Sequence, residues 1–337
     1  MTMKETDETA VGMVEESGLL DDLRSGFGFR FIFEKFGIIV PLVIVFIGLS
    51  ILTDGFIDSH NLINILRQIS FLSIVSIGST FVIISGGIDL SIGSIMGMVA
   101  VFSTMWVKSG GNLFWMLVIA IVTGVVVGII NGLIIANFTI PPFIVTLATM
   151  ITGRGIILLI TRGYNISGLD NEKFLFFGRG YIGTIPFPVI VMILVYLIFM
   201  IYLGRSKFGR YVYAVGNNEA ASRVAGIDVK KVKMLVYMIA GLTGSIGGVI
   251  LVSRMNLATP MFCSGIEFDC ITAVVLGGTA ITGGKGRLVN TLMGAALLGI
   301  VNNGFNLMGI SSYWASVAKG FILIIAIILY SFRVTKK

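Results

Sequence analysis

The sequence predicts an all-α, polytopic transmembrane helical bundle of about ten spans, with both termini on the cytoplasmic side. Three observations predict it. First, 56% of the 337 residues are hydrophobic, 12% are charged and the mean hydropathy is +0.99. A soluble domain carries roughly twice that share of charge, so lipid must solvate much of the surface. Second, the apolar residues come in continuous runs. Each is near the roughly 20 residues of a bilayer-crossing helix and too long for the strands of about ten residues in a β-barrel. Third, Lys and Arg cluster in loops beside these runs. Topology therefore accounts for the net charge of +7 without a nucleic-acid partner.

Residues 1–35 read as a cytoplasmic acidic tail, with Glu5, Asp7, Glu8, Glu15, Glu16, Asp21 and Asp22. No basic stretch leads directly into a short apolar segment, as a cleaved secretory signal requires. Residues 36–337 form the transmembrane domain, with spans near 37–53, 62–84, 90–107, 113–136, 143–162, 186–203, 233–253, 267–283, 288–308 and 314–332. Two of these carry marks of interruption. Residues 85–97 are rich in Gly and Ser around Asp89 and read as a break inside one long element. Residues 267–287 hold Glu267, Asp269, Lys285 and Arg287 and read as a short or re-entrant helix.

The loop 204–232 carries Arg205, Lys207, Arg210, Arg223, Lys230 and Lys231 against Glu219 and Asp228. It is the strongest positive-inside signal in the chain. The C-terminal Arg333, Lys336 and Lys337 add to it, and loop 54–61 has no basic residue. With ten spans, all of these assignments agree. The 43 glycines favour helices that approach closely. A faint internal echo links Val82–Gly87 with Val274–Gly278, and Asn131-Gly132 with Asn303-Gly304.

Several chemistries are poorly supported. Cys263, Cys270 and His60 supply too few groups for a metal cluster. The cysteines could share a helical face two turns apart, which is too far for a disulfide within one helix. Gly278-Thr-Ala-Ile-Thr-Gly283-Gly-Lys285-Gly-Arg287 fails the P-loop pattern, which needs Lys directly after the second Gly and then Ser or Thr. No other stretch resembles an ATP site, so ATP-driven work requires a separate subunit. No carboxylate–His–Ser set exists for hydrolysis; no enzyme activity and no cofactor are expected.

Candidate residues each carry two readings. Gly216, Asn217 and Asn218 can turn or cap, Glu219–Ala225 then reads as a short helix, and Gly226 can terminate it. This segment either docks a cytoplasmic partner or only connects two spans. Asp89 either lines a path or caps a broken helix, since a lipid-facing aspartate costs about 2.5–3.5 kcal/mol. Asn131, Asn302 and Asn303 suit a polyol path and suit helix–helix hydrogen bonding equally. Arg154 faces the interior or snorkels outward. Glu267 and Asp269 either meet an extracytoplasmic partner or cap a helix end.

Five segments together resemble a known family. They are Ser85–Ser94 (SGGIDLSIGS), Asn131-Gly132 with Ile140–Leu147, Gly216-Asn-Asn-Glu-Ala-Ala with Gly226-Ile227, Ala273–Thr279 with Gly283–Gly286, and Asn302–Leu307. In this order they resemble the permeases of monosaccharide ABC importers, which include ribose, xylose, arabinose, galactose and autoinducer-sugar permeases. The resemblance implies a bacterial cytoplasmic (inner) membrane complex. Its partners would be a cytoplasmic ATP-binding subunit, an extracytoplasmic solute-binding protein and a second permease copy or related chain. It gives Glu219, Ala220, Ala221 and Gly226 the ATPase-docking role. The alternative is a self-sufficient secondary transporter, which the shortage of intramembrane carboxylates weakens.

Overall fold

Long apolar runs with Pro confined to the first turn make the helices, and Gly, Asn and Pro at their ends divide them. The computed structural model describes residues 38–138, 140–168 and 171–335. The acidic tail of residues 1–35, Asp170, Lys336 and Lys337 lie outside the described residues.

The helices in chain order are α1 (Ile39–Leu52), α2 (Ser59–Ile84), α3 (Ile92–Lys108), α4 (Leu113–Asn137) and α5 (Pro142–Thr161). Then come α6 (Glu172–Arg179), α7 (Phe187–Arg205), α8 (Lys207–Asn217), α9 (Glu219–Val224) and α10 (Val229–Met255). The last three are α11 (Ile266–Leu276), α12 (Leu288–Leu307) and α13 (Ser312–Thr335). Strand β1 (Ile166–Ser167) pairs antiparallel with β4 (Leu257–Ala258), and β2 (Tyr181–Ile182) with β3 (Ile185–Pro186).

Among the described residues, six helices are long and apolar enough to cross a membrane: α2, α4, α5, α7, α10 and α12. Helices α1 and α3 and the Tyr313–Ile325 part of α13 are shorter apolar segments. The all-α membrane bundle expected from the sequence is therefore present. The segment expected at 267–283 is a short helix, the form its charges suggested, and not a full span. Its helix, α11, is 11 residues long and ends at Leu276, and Gly277 and Gly278 turn the chain away from it. Cys263 precedes α11 in a loop, so it does not share a helical face with Cys270; both thiols are buried and free. His60 lies in the first turn of α2, exposed, with Asn64 Nδ2 3.3 Å from its Nδ1.

Helices α2 and α10 are the most enclosed of the six spans, whereas α4, α5 and α7 are largely exposed. The α4–α10 contact is built on glycine. Gly124, Gly128 and Gly132 recur every four residues, forming one ridge of α4. A Cβ on Gly128 would fall 2.3 Å from the Tyr237 carbonyl oxygen, and one on Gly124 would fall 2.3 Å from that of Gly241. The backbones touch at this seam, where Ser245 Oγ donates to Ala120 O at 2.8 Å. Such close approach gains dispersion contacts that larger side chains would prevent.

Helix α10 also fixes the two faces of the molecule. Its 27 residues start beside α9 and span about 40 Å to Met255. The small β ladders therefore lie on the face opposite the α8–α9 segment. From that face, residues 259–265 turn back into the bundle until the Cys263 carbonyl lies against Gly93 at the start of α3. Helix α11 and the following loop then continue to the α8–α9 face.

Gly128→Val is expected to destabilise the protein by about 1–3 kcal/mol through overpacking of the seam. Gly48→Ala, where an added Cβ meets nothing within 4 Å, is expected to be neutral. Thermal unfolding of both variants in detergent checks this contrast.

Candidate coupling segment and buried polar chain

Ser206 caps α8 by accepting from Gly209 N at 2.9 Å, and Asn218 caps α9 by accepting from Ala221 N at 2.9 Å. Gly226, at φ +80°, ends α9. Its N–H donates to Arg223 O, and that of Ile227 donates to Ser222 O, both at 3.0 Å, the Schellman pattern. The result is a short helix whose tip projects Ala220, Ala221 and Val224 outward, with Val224 91% exposed.

Glu219 anchors this helix. Its Oε2 accepts from Lys233 Nζ on α10 at 2.6 Å, and its Oε1 accepts from Arg223. Burial pushes the Glu219 carboxyl upward, but hydrogen bonds and charge from Lys233 and Arg223 outweigh it and hold the pKa below the usual value. The sign follows: the clamp's contribution is present above the ordinary carboxylate pKa and is lost as pH falls through the depressed one.

Gly216 joins this segment to both interrupted elements. A Cβ there would fall 1.7 Å from Ile84 O and 2.7 Å from Gly284 N. Gly284 N itself donates to Ile84 O at 2.8 Å. Tyr213 Oη adds a bond to Gly286 O at 2.8 Å. The end of α2, the loop after α11 and the end of α8 thus meet backbone to backbone.

Above this junction runs a buried polar chain. Thr149 Oγ1 donates to Asn131 Oδ1 at 2.6 Å, and Asn131 Nδ2 donates to Ser91 Oγ at 2.9 Å. Ser91 donates to Asp89 Oδ1 from both its Oγ, at 2.6 Å, and its backbone N, at 2.8 Å. Every donor points toward Asp89, the arrangement in which hydrogen bonds polarise one another favourably. The chain links α5, α4 and the start of α3.

Of the four path candidates, Asp89 and Asn131 are brought together. Asn303 is elsewhere, exchanging hydrogen bonds of 3.0 and 2.8 Å with Asn61 of α2. Asn302 is half-buried on α12. Glu267 is 3% exposed, with its carboxylate against Gly93. Arg154 reaches from α5 to the Phe262 carbonyl beside it. Asp269 pairs with Lys319 of α13 at 2.8 Å.

Sequence reading missed an arginine cluster on the face opposite α8 and α9. Arg67 of α2 donates to Arg179 O at 2.9 Å and stacks 4.6 Å from the Tyr181 ring centroid. Arg179 donates to Arg254 O at 2.8 Å. Among the described residues, no carboxylate pairs with any of the three. The available signal was Arg67 itself, a charge set inside an otherwise apolar run.

The family described as "Branched-chain amino acid transport system / permease component" matches residues 61–327, a stretch that contains both the coupling segment and the polar chain. The chain belongs to this family of transport permeases. The ribose import permease protein RbsC of Bacillus subtilis (strain 168) is 42% identical over 299 residues, which is 88% of this chain and 93% of that protein. RbsC of Escherichia coli (strain K12) is 40% identical over 299 residues, again 88% and 93%. The L-arabinose transport system permease protein AraH of Escherichia coli (strain K12) is 32% identical over 310 residues, 92% and 94%. No solved structure matches the chain. The permease is thus a multi-pass membrane subunit of an ABC importer and not an enzyme.

Asp89→Ala leaves the Ser91 N–H and hydroxyl without their acceptor, an expected cost of about 1–3 kcal/mol. Asp89→Asn retains Oδ1 and is expected to lose less. Unfolding of both variants in lipid–detergent micelles measures the order; equal losses would show that Ser91 does not depend on that oxygen.

Proposed function

We propose that the permease forms the translocation path for ribose or a closely related monosaccharide in a bacterial cytoplasmic-membrane importer. A solute-binding protein delivers the sugar from outside, and a separate ATP-binding subunit acts at the cytoplasmic face. The observation that carries this reading is 42% identity to a ribose import permease across nearly all of both chains.

In this reading the chain crosses the membrane ten times. The crossings are α1 to α5, α7, α10, the interrupted segment from 259 to 284, α12 and α13, with both termini cytoplasmic. Two permease chains, identical or related, complete the assembly. The tip of α9 docks the ATPase: small apolar side chains held out in water by the Glu219 clamp suit insertion into a partner groove. Movement there reaches the break at 85–91 through Gly216, and Asp89 and Asn131 belong to the path wall. The binding protein docks on the arginine cluster. The Arg67 and Arg179 guanidinium groups, already tied to backbone carbonyls, favour bidentate carboxylate partners at little ordering cost.

The complete importer in proteoliposomes is expected to accumulate labelled ribose with ATP, whereas the permease alone is not, under any ion gradient. Uptake by the permease alone would overturn the reading. Val224→Glu is expected to lower ATPase stimulation by loaded binding protein about tenfold or more while leaving binding-protein docking intact, which co-sedimentation can measure. Arg67→Glu with Arg254→Glu is expected to do the opposite, weakening docking about tenfold or more and flattening its salt dependence.

A further inference from the structure

A cavity of about 280 Å³ lies between the coupling segment and the break after α2. Ser85, Gly87, Asn218 and Tyr237 are among the residues that line it. Tyr237 is 1% exposed, and its buried hydroxyl has no hydrogen-bond partner. The hydroxyl lies against Gly87, where a Cβ would fall 2.5 Å from it. A buried hydroxyl normally has a hydrogen-bond partner, and at a cavity wall an occupant can supply it.

The cavity's chemistry limits what that occupant is. Its two charged lining residues, Glu219 and Lys233, pair with each other at 2.6 Å, so the lining itself carries no net charge. Asn218 uses its oxygen as the α9 cap, and its NH2 group remains a donor. Ser85 donates to Val82 O at 2.8 Å and keeps its oxygen as an acceptor. The walls thus offer neutral donors and acceptors. The volume lies just below the range of about 300–1,000 Å³ that holds drug-sized ligands, too small for a nucleotide and sufficient for one sugar ring.

We propose that this cavity is a cytoplasmic-side binding site for a neutral polyhydroxylated solute of monosaccharide size, and that its occupancy slows import. The inference rests on the sugar-importer reading above. An occupant sits between Gly87 of the break and Asn218 of the coupling segment. It braces these two parts against moving relative to each other, and import slows as solute accumulates inside.

The test uses the complete importer in proteoliposomes with the ATPase outward and ribose-loaded binding protein enclosed. Ribose added outside then reaches only the cytoplasmic face. Stimulated ATPase activity is expected to fall as outside ribose rises into the millimolar range, while ribose 5-phosphate has no such effect. In Tyr237→Phe, scaled to its own uninhibited rate, the ribose concentration for half-inhibition is expected to rise about 3- to 10-fold. Gly87→Ala, whose methyl crowds the same hydroxyl, is expected to show the same relief. An importer that the loaded binding protein does not stimulate overturns the sugar-importer reading and this site together. One that is stimulated but not inhibited from outside overturns the site alone, leaving water as the cavity's occupant. Equal inhibition of wild type and Tyr237→Phe, or equal inhibition by the phosphate ester, overturns it too.

Discussion

In a bilayer every backbone N–H and C=O must find a partner within the protein, and interrupted helices can exist only where that demand is met. The contact among Ile84, Gly216 and Gly284 meets it here. At the end of α2, Ser85, Gly86 and Gly87 donate back to Phe81, Ile83 and Val82, while Ile84 O receives Gly284 N. Further on, Thr146 Oγ1 serves the Ile88 carbonyl and Asp89 serves the Ser91 N–H. Without a glycine at 216 the backbones could not approach, and the two broken elements would lose their mutual partner.

The same demand explains how charge is handled inside the bundle. Asp89 ends a series of donors and accepts twice from Ser91, which makes it a helix-start anchor as well as a candidate path residue. The two readings of the sequence are therefore compatible, because one carboxylate oxygen holds Ser91 and the chain of Asn131 and Thr149 brings polar groups through an apolar wall. Asp269 is matched by Lys319 on a neighbouring helix. Isolated charges at such depth are costly, and pairing or hydrogen bonding is the usual way a protein tolerates them.

The fold class was legible because its signals are compositional: apolar runs of bilayer length, and basic residues gathered near 204–232. The coupling segment was legible because capping is local. Asn218, Glu219 and Gly226 announce a start, an acidic first turn and a stop within nine residues. Helix α8 was harder, because the aromatics and charges of Lys207–Asn217 read as an interfacial loop when their periodicity is not weighed. The likeness between Val82–Gly87 and Val274–Gly278 did mark something physical, since both stretches end a helix at a turn and both turns lead to the Gly216 junction. The pairings of Asn303 with Asn61, and of Arg67 with the backbone of Arg179, join residues far apart in sequence. Only tertiary packing selects them, and no local pattern encodes that selection.

Two enclosed rods, α2 and α10, connect the faces of the molecule. Arg67 stands near the start of α2, whose other end is Ile84 at the Gly216 junction. Arg254 stands at the far end of α10, whose other end supplies Lys233 to Glu219. A displacement applied to the arginines is therefore applied to the same two bodies that hold α9. Packed helices move as units because their interfaces are not continuously deformable. The elements that can yield are the interrupted ones, where 85–91 and 277–287 replace helical hydrogen bonds with a few longer-range contacts. In the proposed reading, rigid rods with hinged neighbours give a route by which an event at the arginines is felt at α9 without unfolding the seam between α4 and α10.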